Sequence, residues 1–191
     1  MIRGEVVAIR HGETDWSRTG RHTSVTDLPL TEAGRVAAQK LTPVLAEIQF
    51  ARVFSSPMQR AKRTCEIAGL GDRMEIETDL AEWNYGDYEG LTQDEIERRA
   101  PGWQLFTDGC PGGENPQQVA TRIGRLIAKL RSIDGNVAVF AHGHILRVLG
   151  ARWINQLVSA GANLLLEPTT LCVLGYYRQV PAIARWNAKV V

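Results

Sequence analysis

Two histidines and two arginines in this chain stand at or just beyond the ends of short apolar runs. Arg10 and His11 follow Val6-Val7-Ala8-Ile9, His142 follows Val137-Ala138-Val139-Phe140-Ala141, and Arg60 lies a few residues past Val53-Phe54-Ser55-Ser56. A guanidinium stays charged at any physiological pH and offers a planar fork that matches phosphate oxygens. A neutral imidazole is a competent covalent nucleophile. Phosphoryl transfer needs mainly positioning and electrostatic stabilisation of the equatorial oxygens. Two imidazoles and two guanidiniums brought together would therefore form a cup for a phosphoryl dianion. Taken singly, each residue has a plainer reading: a hydrogen-bonded loop histidine, or a solvated or ion-paired arginine. The argument for chemistry is that all four fall at one kind of place.

That place follows from the elements that must carry them. The runs 6–9, 53–56 and 137–141 read as buried strands. Thr31 reads as the N-cap of a helix whose apolar residues Val36, Ala37, Leu41, Val44, Leu45 and Ile48 recur at helical spacing. Pro57 suits the first position of a second helix, running to about Gly69. Met74 to Glu77 is a weaker strand. Asn115-Pro116 opens a helix with Val119, Ile123, Ile127 and Leu130 on one face, and another follows His142 through Leu146, Leu149 and Trp153. Leu171 to Arg178 and Ala182 to Trp186 read as closing strands joined across Pro181. Alternating strands and helices predict a three-layer α/β/α sandwich with a mostly parallel central sheet. Ligands of such sheets bind beyond the carboxyl ends of the strands. Residues 1–191 are expected to form a single domain, with an irregular substrate-covering segment at about 81–115 whose one short helix is opened by a capping box, Thr92 and Glu95.

Bulk properties narrow the field. The chain has 191 residues, with 22 basic and 21 acidic side chains and a net charge of +1. Nothing global favours nucleic acid or an anionic membrane surface, so an anionic substrate must meet locally placed charge. Three cysteines without CxxC spacing argue against a disulfide framework and against structural zinc. The N-terminal residues do not read as a signal peptide, and no apolar run reaches membrane-spanning length. A cytoplasmic location is expected, with no cofactor and no metal. A homodimer is compatible with all of this.

Arg10-His11-Gly12-Glu13-Thr14 resembles the signature of the histidine phosphatase superfamily, also called phosphoglycerate mutase-like. Ser55-Ser56-Pro57-Met58-Gln59-Arg60-Ala61 resembles its second motif and Ala141-His142-Gly143-His144 its third. Order and spacing match over nearly the whole chain. The resemblance implies that His11 is the phosphorylated nucleophile and that Arg10, Arg60 and His142 bind the phosphoryl group. It implies that Glu82, in Ala81-Glu82-Trp83-Asn84-Tyr85-Gly86, protonates the leaving oxygen, whereas the residues alone would read Glu82 as a surface carboxylate. Glu13 reads as an orienting residue. Ser17 stands where family mutases carry an asparagine in the phosphate loop; serine can still donate one hydrogen bond but has shorter reach, and Thr23 matches a phosphate-loop residue better. Trp16, His22, Trp83, Tyr85 and Tyr88 are candidates for lining the entrance.

Other chemistries fare worse. Cys172 and Arg178 have the CxxxxxR spacing of cysteine-dependent phosphatases, but the residues between are bulky, and a phosphate-cradling loop needs small ones. His142 and His144 form an HxH pair, which as a zinc site would need a third and usually a fourth ligand, from His11, His22 or carboxylates; His144 reads instead as a supporting or helix-capping residue. No Walker or GxSxG motif occurs. The reading is a phosphomonoesterase acting on small phosphorylated metabolites, of the compact acid-phosphatase or sugar-phosphatase type. A phosphoglycerate mutase and a specific sugar bisphosphatase are the alternatives, with a non-catalytic phospholigand-binding protein behind them. The segment from Trp83 to Gly113 has few basic residues, essentially Arg98 and Arg99, which offers little to hold a second phosphate and favours hydrolysis over mutation.

Overall fold

The central strands carry apolar side chains on both faces, and that calls for a helical layer on each. The computed structural model describes residues 4–190. Strand β1 (Val6–Arg10) leads to a single turn, α1 (Asp15–Arg18), then α2 (Glu32–Gln39) and α3 (Leu41–Ala46). Next come β2 (Phe50–Ser55), α4 (Gln59–Ile67) and β3 (Met74–Ile76). Short helices α5 (Gln93–Arg99) and α6 (Leu105–Asp108) precede the long α7 (Pro116–Arg131). The chain closes with β4 (Asn136–Ala141), α8 (Gly143–Trp153), β5 (Leu171–Tyr177) and β6 (Val180–Ala188).

The sheet runs β3-β2-β4-β1-β5-β6. Its first four strands are parallel, and β5 and β6 are antiparallel additions. Alternate residues go to alternate cores. Val6, Ala8, Val137 and Val139 pack with Ile123 and Ile127 of α7 and Leu146 and Leu149 of α8. Val7, Ile9, Ala138 and Phe140 pack with Leu41, Leu45 and Cys65 on the other face. Each such large aliphatic contributes roughly 1.5–3 kcal/mol by leaving water. The expected three-layer α/β/α sandwich is the fold observed. It puts β1 beside β4 and β4 beside β2, so the three strand ends that bear the candidate residues share one edge.

Several local expectations need correction. The helix predicted from Thr31 through Ile48 is two helices, because Pro43 cannot donate an N–H back to the preceding turn. Pro57 lies outside its helix. The helix starts at Gln59, whose N–H donates to Asp27 Oδ1 at 2.8 Å, so a carboxylate from a distant loop caps it. Pro181 does not join two strands but sits within β6, opposite Tyr176. That is tolerable because β6 is the sheet's edge, where a missing N–H breaks no ladder. The irregular segment holds the expected Thr92–Glu95 capping box and, in addition, α6.

Candidate active site

His11 is placed by backbone bonds at the end of β1. Its N–H donates to Ala141 O at 2.9 Å, which ties it to the end of β4. Gly12 must be glycine: a Cβ there would stand 2.6 Å from Gly34 O, where the loop presses on α2. The Gly12 N–H donates to Thr64 Oγ1 at 3.0 Å, anchoring the loop to α4. His11 Nδ1 lies 2.7 Å from Gly12 O. A carbonyl only accepts, so Nδ1 carries the hydrogen and Nε2 keeps its lone pair. Burial, then the charges of Arg60 and Arg10, hold His11 well below the ordinary imidazole range. The ring is therefore neutral, with Nε2 free to attack.

Arg10 reaches across to Leu166 O through Nη1, while its buried Nε has no protein partner. A buried guanidinium edge left unpaired is costly unless an anion completes it. Gly143 makes room for it; a Cβ at that position would stand 3.2 Å from Arg10 Cζ.

Arg60 is placed differently from the bidentate phosphoryl ligand that the sequence suggests. It is wholly buried and does not line the cavity. Its Nη1 donates to Thr26 O at 3.0 Å, and Nη2 to Thr23 O at 3.2 Å and Ser24 O at 3.0 Å. Its Nε donates to His142 Nδ1 at 3.1 Å. His142 accordingly carries its hydrogen on Nε2, 2.7 Å from Ser56 Oγ. Its ring packs edge-on against His11, with centroids 5.1 Å apart. Both ring nitrogens of His142 are thus occupied. Arg60 holds the 23–26 loop and the second histidine, and supplies charge from behind.

Glu82 is not a surface carboxylate; it is 7% exposed. Its Oε1 accepts from Trp83 N at 2.9 Å and Ile145 N at 2.8 Å, and its Oε2 from His144 N at 3.0 Å. Glu82 therefore caps α8, the helix that follows His142, in place of His144. Arg122 fastens the segment behind it. Its Nη1 donates to Asp79 O and Ala81 O, each at 2.8 Å, and its Nη2 to Glu82 O at 3.2 Å. The remaining guanidinium edge pairs with Glu114.

A cavity of about 200 Å³ opens at this edge. Of the sequence candidates, Arg10, His11, Ser17, His22, Thr23, Glu82 and Tyr85 line it. Ser17 spends its hydroxyl on the capping box with Thr14, and Thr23 Oγ1 donates to Arg21 O at 3.0 Å. Trp83 is no entrance residue; it is fully buried and its Nε1 donates to Glu114 O at 2.9 Å. Trp16 and Tyr88 also lie outside the lining: Trp16 packs over Gly90, and Tyr88 packs on Trp103. Arg21, which the sequence places near the entrance with Gly20, His22 and Thr23, lines the cavity too; sequence reasoning missed Gly143, Arg147 and Leu166, which also line it, and the role of Ser56, which holds His142. Ser56 was legible as part of the second motif; Leu166, whose carbonyl accepts from Arg10, leaves no sequence signal.

His144 shares a hydrogen bond with Tyr85, Nδ1 to Oη 2.5 Å apart. Among the described residues no three His, Cys, Asp or Glu side chains gather closely enough to hold a metal ion. Cys172 lies inside β5 with its thiol pushed up to about 11 by burial, which leaves it a core residue.

A buried arginine edge, a neutral imidazole with a free nitrogen and a carboxyl, set at the carboxyl edge of a parallel sheet, define an α/β protein built to handle a phosphoryl group. The chain belongs to the histidine phosphatase superfamily (branch 1), whose family model matches residues 6–189. It is 35% identical over 183 residues to an acid phosphatase of Mycobacterium tuberculosis, covering 94% of this chain and 90% of that one. It is 36% identical over 179 residues to sedoheptulose 1,7-bisphosphatase of Saccharomyces cerevisiae, covering 77% and 66% respectively. The solved structure of an open reading frame from Mycobacterium tuberculosis superposes with a TM-score of 0.92 at 33% identity, over 98% of this chain and 99% of that one. Family and relatives place the chain among phosphoric monoester hydrolases.

Proposed function

We propose that the chain hydrolyses monoesters of small phosphorylated metabolites through a phosphohistidine on His11. Nε2 forms a bond to phosphorus as the bond to the ester oxygen breaks, and Glu82 gives its proton to that oxygen. Glu82 then takes a proton from water, which attacks phosphorus and releases inorganic phosphate and free His11. The observation that carries this reading is the tautomer of His11, whose Nδ1–H is spent on Gly12 O. That leaves Nε2 open to a cavity shared with the unpaired edge of Arg10 and with Glu82. Oε2 of Glu82 accepts one N–H where Oε1 accepts two, so it can carry the transferable proton while the α8 cap stays in place. His142 orients Arg60 and, by turning Nε2–H away from Ser56, can donate to a phosphoryl oxygen.

In this reading residues 1–191 act as one domain, in the cytoplasm and without a metal. Free, buried Cys65, Cys110 and Cys172 suit a reducing compartment. The two guanidiniums supply the positive charge that a divalent ion supplies in other phosphotransferases.

Rapid quenching of the enzyme during turnover tests the mechanism. The wild type should carry acid-labile, base-stable phosphate, and His11→Ala should carry none while keeping its fold. Recovery of the label on serine, cysteine or aspartate would sink the proposal. Inorganic phosphate should appear faster than the two monophosphoglycerates interconvert. The opposite order would make the chain a mutase.

A further inference from the structure

Glu89 takes no part in the chemistry described above, yet it grips the machinery from behind. It follows the short turn Gly86–Tyr88 on the segment that carries Glu82. Backbone bonds hold that segment to the neighbouring loop: Gly90 N–H donates to His22 O at 2.8 Å and His22 N–H to Leu91 O at 2.9 Å. The Glu89 carboxylate is spent on the stretch from Thr23 to Thr26. Its Oε1 accepts from Ser24 N at 2.9 Å and from Thr26 N at 3.0 Å. Its Oε2 accepts from Ser24 N at 3.0 Å and from Ser24 Oγ at 2.6 Å. Ser24 Oγ in turn accepts from Tyr85 N at 3.3 Å, a second tie to the Glu82 segment.

Arg60 grips the same stretch by its oxygens, at Thr23, Ser24 and Thr26. The peptide group between Thr23 and Ser24 is held from both sides. Its oxygen accepts from Arg60 Nη2, and its N–H donates to Glu89. The peptide is trans, so these two bonds point in opposite directions. Its dipole therefore lies between the two charges, oxygen toward the cation and hydrogen toward the anion. Charge-assisted bonds on either side strengthen one another through it. Burial lowers the pKa of Arg60, and the charges of Glu82, Asp27 and Glu89 offset part of that. The remaining edge of the guanidinium carries this hold into the site. Arg60 Nε–H donates to His142 Nδ1 at 3.1 Å, which leaves the ring hydrogen of His142 on Nε2. Burial, then the charge of Arg60, holds His142 well below the ordinary imidazole range, so the ring is neutral and has one hydrogen to place. Were Arg60 to withdraw, Nδ1 could take that hydrogen, and Nε2 would meet a phosphoryl oxygen with a lone pair and no donor.

We propose that Glu89 is a positioning residue for phosphoryl transfer: through the stretch from Thr23 to Thr26 its carboxylate holds Arg60 against His142 and keeps the ring hydrogen of His142 on Nε2. The inference rests on the reading of His142 as a donor to the phosphoryl group, and deepens it.

The test reads the His142 tautomer in the full chain by nitrogen-15 magnetic resonance, with the ring signals assigned by their loss in His142→Gln. Wild type should show the Nε2–H tautomer alone. Glu89→Gln removes the charge and turns an amide donor toward Ser24, so it should give a mixture of the two tautomers. Glu89→Asp keeps the charge on a shorter stem and should lie between, nearer wild type. Complete loss of an oriented donor costs about a hundredfold or more in kcat, so the mixture should cost about tenfold with p-nitrophenyl phosphate. KM should change by less than about threefold, because the donor acts on the transition state. A merely structural Glu89 would lower stability and leave the tautomer alone. An unshifted tautomer in folded Glu89→Gln overturns the inference, and so does a shifted tautomer with unchanged kcat. Should Glu89→Gln fail to fold, the spectrum of Glu89→Asp decides, and a tautomer identical to wild type there overturns the inference as well. If wild type leaves p-nitrophenyl phosphate intact while the tautomer shifts in Glu89→Gln, the phosphatase reading fails and the hold of Glu89 on His142 stands.

Discussion

His11 and Glu82 divide the work by protonation state, and the surroundings of His11 set the acid side of the profile. Burial and two neighbouring guanidiniums favour the neutral ring. A nucleophile held neutral stays active as pH falls, and activity is lost only when His11 finally takes a proton. The acid limb of kcat/KM should therefore lie well below 6.5, the ordinary imidazole value. A limb at or above that value would show that the ring is not held neutral. Glu82→Gln keeps an oxygen for the α8 amides but removes the transferable proton. It should slow alkyl phosphates by about a hundredfold or more and p-nitrophenyl phosphate much less, because a phenolate leaves without help. Equal losses across leaving groups would move the proton-donor role elsewhere.

Arg60 shows how an element's connections change the meaning of a motif residue. It stands in the first turn of α4, and its donors go to the carbonyls of Thr23, Ser24 and Thr26 and to His142. The loop from Gly20 to Asp27 is held to α4 from both sides, since Asp27 in turn caps Gln59. Arg60→Lys keeps the charge but cannot reach several carbonyls at once. We expect a loss of about 2–3 kcal/mol in stability from the carbonyls left unpaired. Activity should fall with it, through displacement of His142 and the cavity wall. Denaturant unfolding checks the first effect and p-nitrophenyl phosphate turnover the second. Unchanged stability with lost activity would instead point to direct phosphoryl contact.

The fold encloses its histidines in neutral form, and that makes it sensitive to acid. His11, His142 and His144 are all held well below the ordinary imidazole value, each chiefly by burial, and His22 is lowered as well. In the unfolded chain these rings take protons near pH 6.5, while in the fold they do not. The unfolded state then binds more protons, so stability falls as pH drops below that value and is fully present above it. Each such ring contributes at most about 1.4 kcal/mol per pH unit of decline. Urea midpoints should fall from pH 7 to pH 5, and His144→Gln should flatten the slope. A flat profile over that interval would mean that the rings titrate alike in both states.

Much of this architecture is legible in residue order, for physical reasons. Apolar runs of strand length alternating with helix-period faces dictate a parallel sheet between two helical layers, and short-range chemistry places Thr31, Thr92 and Asn115 as caps. The strand-end positions of Arg10, His11 and His142 follow from the same pattern. Groups whose roles depend on distant partners could not be read that way. Asp27 decides where α4 begins, Glu82 caps a helix 61 positions further along the chain, and Arg60 turns inward to loop carbonyls. Trp83 is drawn into the core and Arg147 is brought to the cavity mouth. Periodicity and capping act over a few residues and leave a local mark. A hydrogen bond between segments far apart in sequence has no such mark, because it exists only once the sheet has brought those segments to one edge.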